Sequence, residues 1–184
     1  MTISRRSLFF AGAAGIPALA SAQKSRKSDL SLTERRIRQE LVTLPFYGVF
    51  DNLSFRFVDG KVTLMGEVVR PALKTSAARV VKNVEGVREV DNRIEVLPLS
   101  PNDDRIRIDS YRTIYGHPAL QLYQMRAVPP IHIIVRNGEI TLEGVVARQQ
   151  DKDIAGIQAN TVPGAFKVTN NLRIDGEIAE PETP

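Results

Sequence analysis

Apolar residues alternate with polar ones on the way into "DGKVTLMGEV", the stretch from Asp59 to Val68: Leu53, Phe55 and Phe57 share one face, and Val62 and Leu64 continue it. The pattern returns 78 residues later around "NGEITLEGVV", Asn137 to Val146, with Ile131, Ile133 and Val135 leading in and Ile140 and Leu142 leading out. Period-two alternation predicts strands with one buried face. Asp59-Gly60 and Asn137-Gly138 predict two-residue type I′ turns, because Asp or Asn followed by Gly accepts positive φ at both central positions. Each copy is therefore a predicted β-hairpin. Five of the ten positions are identical, including both glycines, so the chain is read as a duplication.

After each hairpin the period changes to 3.6. Arg70-Pro71 opens a helix with Pro at its first position, and Ala77, Val80, Val81 and Val84 form its apolar side. Gly86 is expected just past its end. The second copy runs from Gln149 to Val162 and stops at Pro163-Gly164. A closing strand follows, with Val90, Asn92, Ile94 and Val96 matched by Val168, Asn170, Leu172 and Ile174. In front of the first hairpin, Ser31-Leu32-Thr33-Glu34 reads as a capping box ahead of a stripe of Ile37, Leu41 and Leu44. The counterpart in the second copy, Tyr111 to Tyr123, is expected to break or kink at Gly116-His117-Pro118. The expected fold is α+β: two tandem αββαβ domains at 31–98 and 105–176, each a three-stranded sheet covered on one face by two helices. Residues 99–104 are read as the linker between them, 23–30 as a disordered linker and 177–184 as a disordered tail.

Composition narrows the function. The 184 residues contain no Cys and two His, which excludes disulfides, thiolate metal sites, a lipobox anchor and a multi-histidine metal centre. Residues 1–22 read as a signal peptide: a basic start, an apolar run from Leu8 to Leu19, and Ala20-Ser21-Ala22 as the cleavage site near Ala22. Arg5-Arg6 followed by large apolar residues also fits a twin-arginine export signal, so both export routes stay open. Removing this segment takes away two Arg and no acid, leaving 23 basic and 21 acidic residues. Export and this small balance argue against nucleic acid as a partner.

The hairpin core "nGxVxLxG.V" and the closing "GVxxVxNxI", present as Gly86 to Ile94 and, with Ala for Val, as Gly164 to Leu172, resemble the BON domain, named for bacterial OsmY and nodulation proteins. The resemblance covers nearly all of the chain after the signal segment. It implies a non-enzymatic module of the bacterial envelope, located in the periplasm, that binds phospholipid or membrane surfaces and acts in osmotic or envelope stress. It also marks Gly60, Gly66, Gly86, Gly138, Gly144 and Gly164 as family-motif positions. The alternative function is a protein–protein interaction or structural module of the periplasm, docking an envelope protein by strand pairing at an exposed sheet edge.

Gly66 and Gly144 lie inside strands, where helix-to-sheet packing without room for a Cβ, or contact with a ligand or lipid, would require them. His132, between Ile131 and Ile133, reads as a sheet-surface histidine without a catalytic partner, and His117 as a turn residue. Asp103-Asp104 in the linker and Asp151 and Asp153 in a first helical turn read as solvated caps. No catalytic group, cofactor site or metal site is expected, since no nucleotide, nucleophile-elbow or zinc motif occurs. Arg35, Arg36 and Arg38 on the first helix and Lys74, Arg79 and Lys82 on the next are the expected contacts for anionic lipid. Residues 31–98 hold 11 basic and 9 acidic residues, whereas 102–178 hold 9 of each.

Overall fold

The computed structural model describes residues 32–175. The signal peptide at 1–22, the stretch 23–30, the Ser31 cap and the tail at 177–184 lie outside the described residues. Helix α1 occupies residues 32–42. It is followed by β1 (Asn52–Val58), β2 (Lys61–Val68), α2 (Pro71–Lys82), β3 (Glu89–Asn92) and β4 (Glu95–Val96). The second half runs α3 (Pro101–Gly116), α4 (Gln121–Gln124), β5 (Ile131–Arg136), β6 (Glu139–Val146), α5 (Gln149–Asn160), β7 (Lys167–Asn170) and β8 (Arg173–Ile174).

The two sheets are copies. β1 pairs antiparallel with β2 from Asn52↔Glu67 to Val58↔Lys61, and β5 pairs antiparallel with β6 from Ile131↔Gly144 to Arg136↔Glu139. The turns are as expected: Asp59 (φ 48°) and Gly60 (φ 80°), Asn137 (φ 51°) and Gly138 (φ 80°). β3 and β4 lie parallel on the far side of β2, and β7 and β8 do the same on β6. The closing strand expected in each repeat is thus one position in the sheet filled by two short strands. An asparagine causes the interruption. Asn92 Nδ2 donates to the Lys74 carbonyl on α2 (2.8 Å) while its Oδ1 accepts from the Ile94 N–H (3.2 Å). Asn170 does the same with Lys152 and Leu172 at the same distances. The side chain ties helix to sheet and turns the strand, which frees Ile94 and Leu172 to enter the cores.

The first core joins Ile37 and Leu41 of α1, and Leu44 just after it, to Val62, Leu64, Val68, Leu73, Ala77, Val81 and Ile94. The second is built around Ile114, Tyr115, Leu120, Ile131, Ile133, Ile140, Leu142 and Leu172. Burying each such side chain contributes about 1.5–3 kcal/mol before entropy is set against it.

The stretch expected to link the repeats is helical instead. α3 starts at Pro101, inside 99–104, because Ser100 Oγ accepts from the Asp103 N–H (3.2 Å), Pro sits at the first helical position, and Asp103 and Asp104 occupy the first turn. It ends at Gly116, where the expected break occurs, and α4 resumes as a single turn.

Residues 47–51 carry the first repeat onto the second. The Ile133 N–H donates to the Val49 carbonyl (2.8 Å), and Val49 and Phe50 pack against the second core. Tyr47 lies 5.6 Å from His132, and Phe50 meets Tyr111 edge-on at 6.2 Å. Arg136 and Glu95 close the seam on the outside at 2.6 Å.

Candidate functional site

The sequence-marked glycines serve backbone geometry. Gly66 (φ 110°) and Gly144 (φ 121°) sit where a Cβ would meet the Asn52 carbonyl oxygen at 2.1 Å and the Pro130 carbonyl oxygen at 1.9 Å. The crowding neighbour is the backbone leading into or along the partner strand, which corrects the helix-packing reading. Gly86 and Gly164 also need correction. They are not the residues that end the helices but lie one turn further on, in Val84–Val87 and Val162–Ala165, each closed by a backbone bond. Gly60 and Gly138 complete the hairpin turns.

Two acids read as solvated are buried. Asp103 (1% exposed) accepts from the N–H groups of Asn137 (2.9 Å) and Gly138 (2.8 Å), so α3 clamps the second hairpin turn. Asp151 (1% exposed) accepts from the Tyr123 hydroxyl at 2.7 Å and pairs with Arg148 at 3.0 Å. Burial alone would raise the Asp151 pKa, but the bonds from Arg148 and Tyr123 outweigh it and bring the carboxyl below its ordinary value. Asp104 and Asp153 are exposed, as expected of caps. His117 Nδ1 accepts from the Ala119 N–H at 3.3 Å within its turn.

The six expected cationic contacts divide into two groups. On α1, Arg35, Arg36 and Arg38 are exposed, but they alternate with Glu34 and Glu40, and Arg36 is held by Glu85 at 2.8 Å. On α2, Arg79 and Lys82 are exposed in the last turn and Lys74 is half-buried above them. α2 contains no acidic residue at all. The shallow hollow between the two helices, about 470 Å³, is lined by Arg36 together with Glu40 and Glu85, so it is not an anion site. Arg38 points elsewhere, into the seam between the repeats.

That seam holds a groove of about 1370 Å³, which residue-by-residue reading missed. Its walls are α1, β1, the loop before β5, and the sheet face of the second repeat left uncovered by helices, represented by Glu143, Val145 and Arg173. The helix-facing residues of β6, such as Ile140 and Leu142, explain why the alternate ones line the groove. His132 lines it too. It is not an open sheet-surface residue: Tyr47 lies over it, its Nδ1 is buried without a hydrogen-bond partner, and burial holds its pKa below 6.5 against the opposing pull of the Gly48 and Asp51 backbone. Nearby, burial raises the Glu67 carboxyl, with Glu143 and Glu95 adding to the rise and Arg136 opposing it. Only the docking of one repeat on the other creates this site, and no spacing within either copy announces it. Among the described residues no group of three or more His, Cys, Asp or Glu is placed to hold a metal ion, and no helix is long and apolar enough to cross a membrane.

Comparison with known proteins places this geometry. The BON domain model matches residues 29–98 and 119–176. The outer membrane lipoprotein DolP of Haemophilus influenzae is 32% identical over 110 residues, 60% of this chain and 56% of that protein. The chain therefore spans little more than half the length of that relative. Among solved structures, the C-terminal domain of CdsD, the structural protein of the type III secretion system of Chlamydia trachomatis, matches 76% of this chain and 96% of its own at 14% identity. The TM-score of that match is 0.27.

Proposed function

The chain belongs to the BON domain family, and on that premise we propose that it is a non-enzymatic, exported envelope protein that attaches reversibly to phospholipid surfaces in the periplasm and protects against osmotic or envelope stress. The envelope setting draws support from the family and from the outer-membrane place in the relative's name.

The observation that carries the lipid reading is α2. Three cations, Lys74, Arg79 and Lys82, lie on a helix without a carboxylate, and the last turn presents two of them to solvent. A cation near an anionic bilayer contributes about 1 kcal/mol. Three of them give about 3 kcal/mol, which corresponds to dissociation constants in the millimolar range or weaker. Attachment is therefore weak, salt-sensitive and additive with whatever Arg35, Arg36 and Arg38 contribute. Flotation of the full chain with phosphatidylglycerol vesicles tests this. Binding should fall between low and high salt, vanish on phosphatidylcholine, and be lost in the Arg79→Glu/Lys82→Glu double variant. Binding that survives both salt and the charge reversal would sink the electrostatic reading. The protein-interaction reading is favoured by a separate observation, the open edge of β1.

A further inference from the structure

The two repeats share a fold but treat the same sheet edge in opposite ways. A two-residue hairpin fixes which strand residues bond across the pair: Val58, Arg56 and Ser54 pair with β2, and alternate residues turn their N–H and C=O groups outward. In β1 the outward residues are Leu53, Phe55 and Phe57, and in β5 they are Ile131, Ile133 and Val135.

In β5 three groups of that edge, one on each residue, are taken. The Ile131 carbonyl accepts from the Tyr115 hydroxyl (2.6 Å), the Ile133 N–H donates to the Val49 carbonyl (2.8 Å), and the Val135 carbonyl accepts from Arg107 (2.7 Å). In β1 the Leu53 backbone bonds the Tyr47 hydroxyl. Among the described residues, nothing takes the backbone groups of Phe55 and Phe57. Every residue from Asn52 to Phe57 lines the inter-repeat groove, on both faces of the strand, so the groove runs along the open edge.

The groove is also charged in one sense. Arg38 of α1, Arg56 of β1, Arg126 of the loop after α4 and Arg173 of β8 converge on it from four elements, against Glu34 and Glu143. Outside the groove, Arg36, Arg93, Arg105, Arg107, Arg112, Arg136 and Arg148 hold carboxylates, whereas Arg70 stacks on Phe46, Arg88 bonds the Asp59 carbonyl and Arg79 faces solvent. The four in the groove hold none among the described residues. Glu143 is itself occupied by Asn171 at 2.7 Å. A volume of about 1370 Å³ exceeds the 300–1000 Å³ usual for small-molecule sites.

We propose that this groove is a docking site for an extended, acidic peptide segment of a partner protein. The segment adds to β1 as a further strand, its backbone bonding Phe55 and Phe57 while its carboxylates meet Arg38, Arg56, Arg126 and Arg173. Backbone bonds supply affinity without sequence dependence, and the arginines supply the preference for acid.

The test uses the full chain and a fluorescein-labelled octapeptide of alternating Glu and Val. Saturable binding is expected by anisotropy, together with slowed hydrogen exchange at the Phe55 and Phe57 amides. The Lys-Val peptide should not bind, and neither should a Glu-Val peptide N-methylated on its pairing edge. Arg56→Glu with Arg173→Glu, both at exposed positions, should weaken binding tenfold or more, while Arg79→Glu outside the groove leaves it within twofold. Equal binding of the Lys-Val peptide, or binding of peptides N-methylated in both registers, would overturn the proposal. So would an absence of binding, or a loss of phosphatidylglycerol vesicle binding in the groove variant without any peptide effect, which would make the groove a lipid site.

Discussion

At the residue scale, the most exacting positions are those where two backbones meet. Alanine at Gly144 or Gly66 would combine a positive φ with a Cβ driven into a carbonyl oxygen. Each substitution should cost about 2–4 kcal/mol in urea unfolding, whereas alanine at Gly116, which has open space around it, should not destabilise. Asp103→Ala strands the turn N–H groups of Asn137 and Gly138, the second of them buried, and should cost about 1–3 kcal/mol, while Asp104→Ala should cost far less. The turn glycines were legible because Asp-Gly and Asn-Gly carry their φ requirement in the dipeptide. Asp103 was not, since its partners lie 34 and 35 residues away and only the packing of α3 on the hairpin brings them near. Asp151 was misread for the same reason: its position in a first turn said cap, but the burial comes from Tyr123.

At the element scale, the duplication made the hairpins and following helices readable, because a shift of 78 residues superposes one apolar pattern on the other. The helix before each hairpin was less so. α3 is set by Ser100 and Pro101, a start signal that lay in a stretch whose Pro, Asn and Asp also read as linker. The split closing strand escaped notice because Asn92 and Asn170 fit simple alternation, and their bonds to α2 and α5 carbonyls depend on tertiary placement. The unequal edges give a prediction free of mutation. In the isolated protein, the amides of Phe55 and Phe57 should exchange with deuterium at rates near those of an unstructured chain, and that of Ile133 orders of magnitude more slowly. Equal protection of the two edges would contradict the arrangement.

At the scale of the whole molecule, residues 47–51 make the second core depend on the first repeat. Urea should unfold the protein in a single transition, and Phe50→Ala should separate it into two, followed by fluorescence and circular dichroism. His132 adds a pH dependence at the seam. Its pKa is held below 6.5 by burial, so above pH 6.5 it is neutral whether folded or unfolded and its contribution is complete. As pH falls below 6.5 the unfolded chain binds the proton first, and stability declines until the folded pKa is reached. The urea midpoint should drop between pH 6.5 and 5 in the native protein, and the drop should shrink in His132→Gln. The raised Glu67 carboxyl works in the opposite sense and is common to both proteins, so the difference between them isolates the histidine. The contrast between an occupied β5 and an open β1 also sets a valence. Sheet-bearing molecules with two sticky rims are bifunctional monomers and grow into filaments. Here the far rims are cut into strands of four and two residues, and the outward residues of β5 are engaged. One reactive rim remains among the described residues, so self-association through β1 would terminate at a closed pair and could never propagate.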